Sequence, residues 1–379
     1  MIFGSRVTQA REFRNVTQVE LAGRVCIKQG TLADIERGRN EPSEMIASRI
    51  AEELNFPLSF FQREPPANFG VGSLEFRAKS AVSAKAKKRA YQFAGIVFEL
   101  ASSLAKRLTM PPVRLPQIDG DPELAAAIVR SELGISPNAP IENLTDVLER
   151  AGVLVFALPS VSSGSLDGID GFSTWAGVGR KLIPSVYLSA ERPGDRARLT
   201  LAHEIGELTL SDLPPGRARE AKANVFAGCL LLPGEALREE LTPPFSINDF
   251  AKIKKRYGVS IQAGLVRARQ LGIIDERRYH SLFQQLSARG WRTQEPPELD
   301  IAFEKPRALH RMAELLYGDP IDYVRLGADA SLDPLFVRQL LSVHANKRDI
   351  HSGALESRGT VLEFARRSSD ESTDELKLM

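Results

Sequence analysis

The chain has 379 residues, a length that suggests two or three domains. Hydrophobic residues make up 43% of it and charged residues 26%, a composition typical of a globular protein. Its 50 basic and 48 acidic residues leave a net charge of +2, so it is not basic throughout, and nucleic-acid binding would require a local patch. Two cysteines, Cys26 and Cys229, are too few for a disulfide framework and lack metal-type spacing, which favours a reducing compartment.

The order of patterns along the chain predicts mostly helices around a small β-sheet. Short helices are expected over residues 1–65, then a break, then a long helix over 82–108 that begins with basic residues and ends before three prolines. Further along we predict helices within 121–151, strands at 153–157, 171–175 and 182–188, and helices at 195–210, 217–232, 247–257 and 261–271. The residues from about 296 predict more helices, with a frayed polar end at 368–375, and a Gly/Ser-rich loop is expected at 162–168.

No apolar run approaches the ~20 residues that a membrane helix needs. The first residues also lack a charged segment followed by an apolar stretch, so we expect no signal peptide. These patterns predict a cytoplasmic protein without a membrane partner.

Residues 17–43 predict two short helices joined by a tight turn. Thr17 is a good N-cap for the first helix, and Gly38 is suited to end the second. Apolar contacts between the two helices are expected from Leu21, Val25, Leu32 and Ile35. The remaining polar side chains predict contacts to DNA bases and phosphates, and they are Gln18, Lys28, Gln29, Thr31, Asp34, Arg37 and Arg39.

This stretch, over about residues 4–62, resembles the XRE-family helix-turn-helix. The resemblance implies binding to an operator in double-stranded DNA, usually as a homodimer on a palindromic site. The long helix over 82–108 could carry the dimer contact, or it could be a packed linker helix. A small helical bundle that binds a protein partner is the structural alternative for residues 1–65.

A second motif, His203-Glu204-Ile205-Gly206-Glu207, places residues 203 and 207 on one face of a helix. Two histidines at this spacing bind zinc in metallopeptidases, with the intervening glutamate as general base. The second position here is Glu207, which can still bind zinc. The surrounding stretches, at 170–173, 223–233 and 257–263, resemble the ImmA/IrrE family over about residues 70–295.

The ImmA/IrrE resemblance implies that His203 is the first ligand and Glu204 the general base. It assigns the second ligand to Glu207 and the third to position 222, which is Lys222 here. A protonated lysine has no lone pair to donate, so we expect a degenerate site without metal, in which Glu207 and Lys222 form a salt bridge. Glu220, about 200° around the helix from residue 222, is expected to face away.

The predicted fold is therefore mainly α with a small β-sheet. A helix-turn-helix bundle (1–65) is followed by a linker helix (66–112), an α+β metallopeptidase-like domain (113–295) and a helical C-terminal region (296–379). The predicted function is a transcriptional regulator, in the first place a repressor, whose catalytically degenerate domain senses a small-molecule effector or binds a partner. Its pocket is expected to be lined by Ser173, Trp175, Tyr187, His203 and Glu204.

Two alternatives follow from the same resemblance. One is an antitoxin that binds a toxin and represses their shared operon. The other is an active zinc endopeptidase that cleaves a repressor. The degenerate site predicts no cofactor, and the active endopeptidase predicts zinc.

Overall fold

The structure is a computed structural model that describes residues 1–65, 83–158, 169–178, 181–211, 216–344 and 365–366. The predicted loop at 162–168 and the predicted polar end at 368–375 lie outside these residues. The mainly helical fold with a small sheet, predicted from the sequence, is confirmed. None of the described helices has both the length and the apolar character needed to cross a membrane.

The N-terminal bundle consists of five helices: α1 (Gly4–Phe13), α2 (Gln18–Arg24), α3 (Gln29–Glu36), α4 (Glu44–Leu54) and α5 (Leu58–Gln62). The start of α1 lies directly against the end of α3. A Cβ atom on Gly4 would lie 2.0 Å from the backbone oxygen of Ile35, so only glycine permits this approach. The contact sets the position of α3 relative to the rest of the bundle.

The long helix α6 (Ala84–Ala105) packs inside the chain. Its apolar side chains from Ala90 to Ala105 are almost all buried in a core that also contains residues of the N-terminal bundle. Arg6, which is fully buried, forms an ion pair of 2.6 Å with Glu99 of this helix. These contacts favour the packed linker helix over the dimer contact, since little apolar surface of α6 is left for a second chain.

A three-stranded mixed sheet follows α7 (Pro122–Glu132) and α8 (Leu144–Arg150). The strands β2 (Leu154–Leu158), β3 (Gly171–Val178) and β4 (Lys181–Ser189) are arranged in the order β2-β4-β3. The pair β2–β4 is parallel and the pair β3–β4 is antiparallel. All three predicted strands are thus confirmed. A further short strand, β1 (Leu108–Thr109), pairs with β5 (Ala365–Arg366).

The two faces of this sheet contribute to two different hydrophobic cores. Side chains alternate along a strand, and Tyr187 stacks between the rings of Phe156 and Phe172, at centroid distances of 5.0 and 4.7 Å, on the face that contributes to the same core as α6. The neighbouring residues Val186 and Leu188 pack into the other core, with the helices that follow the sheet.

The second core is formed by the helices that follow β4. They are α9 (Gly194–Thr209), α10 (Arg217–Leu231), α11 (Gly234–Glu240), α12 (Ile247–Tyr257), α13 (Ile261–Gln270) and α14 (Glu276–Ala288), followed by a 3₁₀ turn at Pro297–Leu299. The helices α9, α10, α12 and α13 match their predictions within two residues. The pattern did not single out α11 and α14.

Three further helices complete the described chain: α15 (Ala308–Tyr317), α16 (Tyr323–Ala330) and α17 (Pro334–Ser342). They return to the N-terminal bundle, where Phe336 lies against Phe13 at 5.6 Å between ring centroids. They also contact the sheet, since His344 Nε2 accepts a hydrogen bond of 3.1 Å from the Ala157 backbone N–H. The C-terminal helices therefore connect the N-terminal bundle with the central sheet.

Candidate nucleic-acid interface and candidate metal centre

The predicted start of α2 and the turn after it are confirmed. Thr17 Oγ1 accepts a hydrogen bond of 3.2 Å from the Glu20 backbone N–H, and the Glu20 carboxylate accepts one of 2.6 Å from the Thr17 backbone N–H. The turn between α2 and α3 contains Cys26 with a φ of 57°. Leu21, Val25, Leu32 and Ile35 are all buried, as expected. The apolar contacts between α2 and α3 fix which face of α3 is directed outward.

The residues predicted to contact DNA lie at the surface of this unit to different degrees. Four are exposed, and these are Lys28, Gln29, Arg37 and Arg39. Three are half-buried, and these are Gln18, Thr31 and Asp34. Arg37 and Arg39 lie 3.8 and 4.0 Å from the Asp34 carboxylate. Exposed pairs of this kind are worth little, so both arginines can exchange Asp34 for a phosphate at small cost.

A chain of hydrogen bonds holds Gln29 at the start of α3. Gln29 Nε2 donates to Gln18 Oε1 at 2.8 Å, and Gln18 Nε2 donates to Glu36 Oε2 at 2.7 Å. Arg11 holds Glu36 in turn, through hydrogen bonds of 2.6 and 3.0 Å. Sequence reasoning missed Arg11 and Glu36. Their only signal was a pair of opposite charges, 25 residues apart, on two different helices.

The second candidate site lies between α9 and α10. His203 and Glu207 are one turn apart on α9, and a third residue, Glu220, comes from α10. One ligand atom from each of these three residues lies within 4.8 Å of the others. His203 and Glu207 are buried and Glu220 is half-buried, so the three side chains converge in a largely enclosed place.

The expected orientation of Glu220 was wrong. Glu220 does not face away, since its Oε2 lies 3.6 Å from His203 Nε2. Lys222 does not take that place, and its Nζ donates a hydrogen bond of 2.9 Å to the backbone oxygen of Gly120. The angle of about 200° between residues 220 and 222 was correct. The face of α10 with residue 222 was expected to point at His203, whereas in the structure the face with Glu220 does.

Asn224, which sequence reasoning also missed, orients the imidazole ring of His203. It lies one turn after Glu220, and its Oδ1 is 2.7 Å from His203 Nδ1. Because an amide oxygen only accepts, Nδ1 is the donor to Asn224, which leaves Nε2 as the ring nitrogen that can face a metal. Nε2 is buried and takes part in no hydrogen bond with a described residue. It is therefore directed at the two carboxylates as a metal ligand would be.

These three side chains fit a divalent cation. One imidazole nitrogen and two carboxylates form a donor set with two negative charges, which zinc accepts and which harder cations such as manganese also accept. Glu204, the expected general base, has a fully buried side chain, and its backbone oxygen accepts a hydrogen bond of 3.4 Å from Ser173 Oγ.

Two of the residues expected to line the pocket lie beside α9, and one does not. Ser173 and Trp175 are on the face of β3 that meets α9, where Trp175 Nε1 donates to the Leu208 backbone oxygen at 3.3 Å. The expectation that Tyr187 lines the same pocket was wrong. Tyr187 lies on the opposite face of the sheet, because it pairs with Phe172 and so alternates with the strand positions that face α9.

Two cavities lie elsewhere in the chain. One, of about 650 Å³, is between the N-terminal bundle and the C-terminal helices, and its lining includes Phe56, Val324 and Leu332. The other, of about 660 Å³, is between α8 and residues 301–307 and contains Glu149 and Arg198. Both have volumes in the range of small-molecule sites.

Two family models match this chain. Residues 7–61 match the helix-turn-helix model, and residues 148–269 match the IrrE N-terminal-like domain of the Peptidase_M78 model. Both matches agree with the resemblances seen in the sequence, and the second is shorter than the 70–295 expected. His203, Glu207 and Glu220 all lie inside it. A comparison with curated proteins gave no match.

Proposed function

We propose that this chain, which joins an XRE-type helix-turn-helix domain to an IrrE-like domain, is a transcriptional repressor that binds an operator in duplex DNA. The observation that carries the proposal is the exposed start of α3, where Gln29 is held by Gln18. In a helix-turn-helix the second helix enters the major groove with its N-terminal residues against the base edges. Gln29 is the first residue of α3.

Gln29 retains the groups that read an adenine. One hydrogen of its Nε2 is used by Gln18, which leaves the second hydrogen and Oε1. These two groups match N7 and the amino group of adenine in the major groove. Because Glu36 and Arg11 fix Gln18 in turn, the amide is oriented before DNA arrives, which lowers the entropy lost on binding.

The repressor would act as a homodimer on a palindromic site, since one module buries too little surface for tight specific binding. The signal would reach it through the IrrE-like domain or the cavity of about 650 Å³, whose lining joins the N-terminal bundle to α16 and α17. A small-molecule effector bound in that cavity would contact both parts at once.

The test begins with selection of binding sites from a pool of random duplexes, followed by fluorescence anisotropy on the enriched sequence. Gln29→Ala should weaken binding to the enriched duplex by about 1–3 kcal/mol, or roughly fivefold to 150-fold, with a smaller effect on random duplex. Gln62→Ala is the matched control, because Gln62 is an exposed glutamine at the end of α5. The neighbouring residue, Arg63, donates a hydrogen bond to the Asp329 backbone oxygen in the C-terminal helices. A pool without enrichment, or equal binding by Gln29→Ala, would contradict the proposal.

A second candidate function is favoured by the geometry of His203, Glu207 and Glu220. We propose that these side chains hold a divalent cation, which would act as a Lewis acid and lower the pKa of a bound water. Asn224 would keep the ring of His203 in the binding tautomer. Glu204 would act as general base, the role that the ImmA/IrrE resemblance gives it. This function is a metal-dependent peptidase, and its substrate would be a repressor.

Metal content distinguishes this candidate from a catalytically silent sensor. Elemental analysis of protein purified without chelators, and titration with zinc and manganese, should give near one cation per chain in the wild type. Glu220→Gln should lower that content, whereas Lys222→Gln, two residues along the same helix, should not. Equal binding by Glu220→Gln and wild type would contradict the ligand set. A wild type that stays metal-free under saturating zinc and manganese would favour the silent sensor.

A further inference from the structure

The N-terminal bundle that contains the helix-turn-helix is electrically balanced. Residues 1–65 include nine lysines and arginines and nine aspartates and glutamates. Affinity for duplex DNA comes largely from positive charges that neutralise phosphates and release counterions. Four positive charges follow at the start of α6, at Lys85, Lys87, Lys88 and Arg89, and the next acidic residue is Glu99. The start of α6 thus has the net positive charge that the N-terminal bundle lacks.

Packing places this basic end of α6 against the end of α1. Phe93 of α6 stacks on Phe13 of α1 at 5.7 Å between ring centroids. Gln92 Nε2 donates to Glu12 Oε2 at 2.7 Å, and Lys88 Nζ lies 3.4 Å from Glu12 Oε1. Residues three and four apart share a helix face, so Lys85 lies on the same face as Lys88 and Gln92, one turn nearer the start.

Lys85 is consequently close to the start of α2. The end of α1 leads directly into Thr17 and α2, and Glu20 is fully exposed there. Hydrogen bonds from Thr17 hold the pKa of Glu20 below its usual range, and the positive charge of Lys85 lowers it further. Gln18, one of the residues expected to contact DNA, is in the same first turn. The basic face of α6 therefore lies beside the first turn of α2, which carries Gln18.

We propose that Lys85 and Lys88 bind backbone phosphates of the DNA that flanks the base-reading helix, so that the DNA-binding surface extends beyond the helix-turn-helix into α6. The inference rests on the proposed DNA-binding function. Lys88 is available for this contact because its pair with Glu12 is an exposed one, with 65% of the lysine side chain accessible, and such pairs contribute little. Lys87 lies about 200° around the helix from Lys85 and faces elsewhere.

The test measures how DNA affinity depends on salt, with a random-sequence duplex of about 40 base pairs as the probe, so no operator need be known. Anisotropy titrations between about 50 and 200 mM NaCl give the slope of log affinity against log salt concentration. The double variant Lys85→Gln/Lys88→Gln should reduce the magnitude of that slope by about 1.8, or about 0.9 for each lost phosphate contact. Lys87→Gln, the matched control on the same helix, should leave the slope unchanged.

The outcomes separate this inference from the proposed function. A wild type that does not bind the duplex at the lowest salt concentration would overturn both. Binding by the wild type with the same slope in the double variant would overturn only the role of α6. An equal reduction by Lys87→Gln would also overturn it, because the effect would then be one of net charge. Lys85→Arg/Lys88→Arg should keep the wild-type slope, because arginine keeps the positive charge at both positions, and a reduced slope in this variant would contradict the inference.

Discussion

Glu149 is a buried carboxyl group at the junction between the IrrE-like domain and the C-terminal helices. It belongs to α8, and its carboxyl oxygens accept hydrogen bonds of 3.0–3.1 Å from the backbone N–H groups of Arg307 and Ala308 at the start of α15. No side chain caps α15 from within its own sequence. Glu149 therefore takes the role of a cap supplied by a distant part of the chain.

Burial raises the pKa of Glu149 to about 8, although the hydrogen bonds to Ala308 and Arg307 oppose the change. Relative to the ordinary value of 4.5, this difference corresponds to about 5 kcal/mol. A carboxyl group whose pKa is raised by folding contributes stability that is complete below the unfolded pKa and is lost as pH rises through the folded pKa. The free energy of unfolding should thus fall with rising pH, by about 2 kcal/mol between about pH 6.5 and 9.

Urea denaturation followed by circular dichroism at several pH values measures this loss. Glu149→Gln keeps the size of the side chain and one hydrogen-bond acceptor but cannot ionise. The difference in unfolding free energy between wild type and Glu149→Gln should therefore change with pH in this window. Glu132→Gln serves as the control, since Glu132 is exposed at the end of α7. A difference that is constant from pH 6.5 to 9 would refute the reasoning, because Glu149 would then be ionised throughout.

Three further predictions concern stability and the candidate metal centre. Burial lowers the pKa of His344 to about 4, so the contribution of its neutral ring to stability is complete above about pH 6.5 and is lost as the pH falls toward 4. In urea denaturation, His344→Gln should remove up to about 3 kcal/mol of this loss of unfolding free energy at acid pH. The same loss at acid pH in the variant and the wild type would contradict a role for the hydrogen bond between His344 and Ala157. Gly206→Ala would place a Cβ atom 2.9 Å from the ring of Phe226, so it should cost about 1–3 kcal/mol in unfolding free energy, and a neutral result would show that α9 and α10 can separate freely. Glu207→His should bind zinc more tightly in competition with a chromophoric chelator, because imidazole replaces a harder carboxylate, and equal affinity would place residue 207 outside the ligand set.

Local patterns in the sequence were sufficient for the helix-turn-helix. A capping residue at Thr17, a glycine after α3 and the spacing of Leu21, Leu32 and Ile35 are all signals within a few residues of each other. The same holds for the three strands and for the helix that carries His203 and Glu207. In each case the sequence signal lies within the element itself, although β2 pairs with β4 rather than with the next strand.

The sequence predicted two of the four residues in the chain of hydrogen bonds that holds Gln29. The sequence indicated Gln18 and Gln29 as polar residues at two helix starts. Their connection to Glu36 and Arg11 depends on how α1, α2 and α3 pack, and on Gly4, which lets α1 approach the end of α3.

The candidate metal centre shows most clearly what the sequence by itself determined and what it left open. Helix periodicity fixed that residues 203 and 207 share a face and that residues 220 and 222 do not. Which face of α10 meets α9 was decided by packing, since Ala223 and Phe226 lie against Gly206, where no side chain intervenes. That contact brings Glu220 and Asn224 to His203 and takes Lys222 to Gly120. Likewise, only the tertiary structure placed α15, α16 and α17 against the N-terminal bundle, because the apolar faces of these helices identify buried residues but not the partners that bury them.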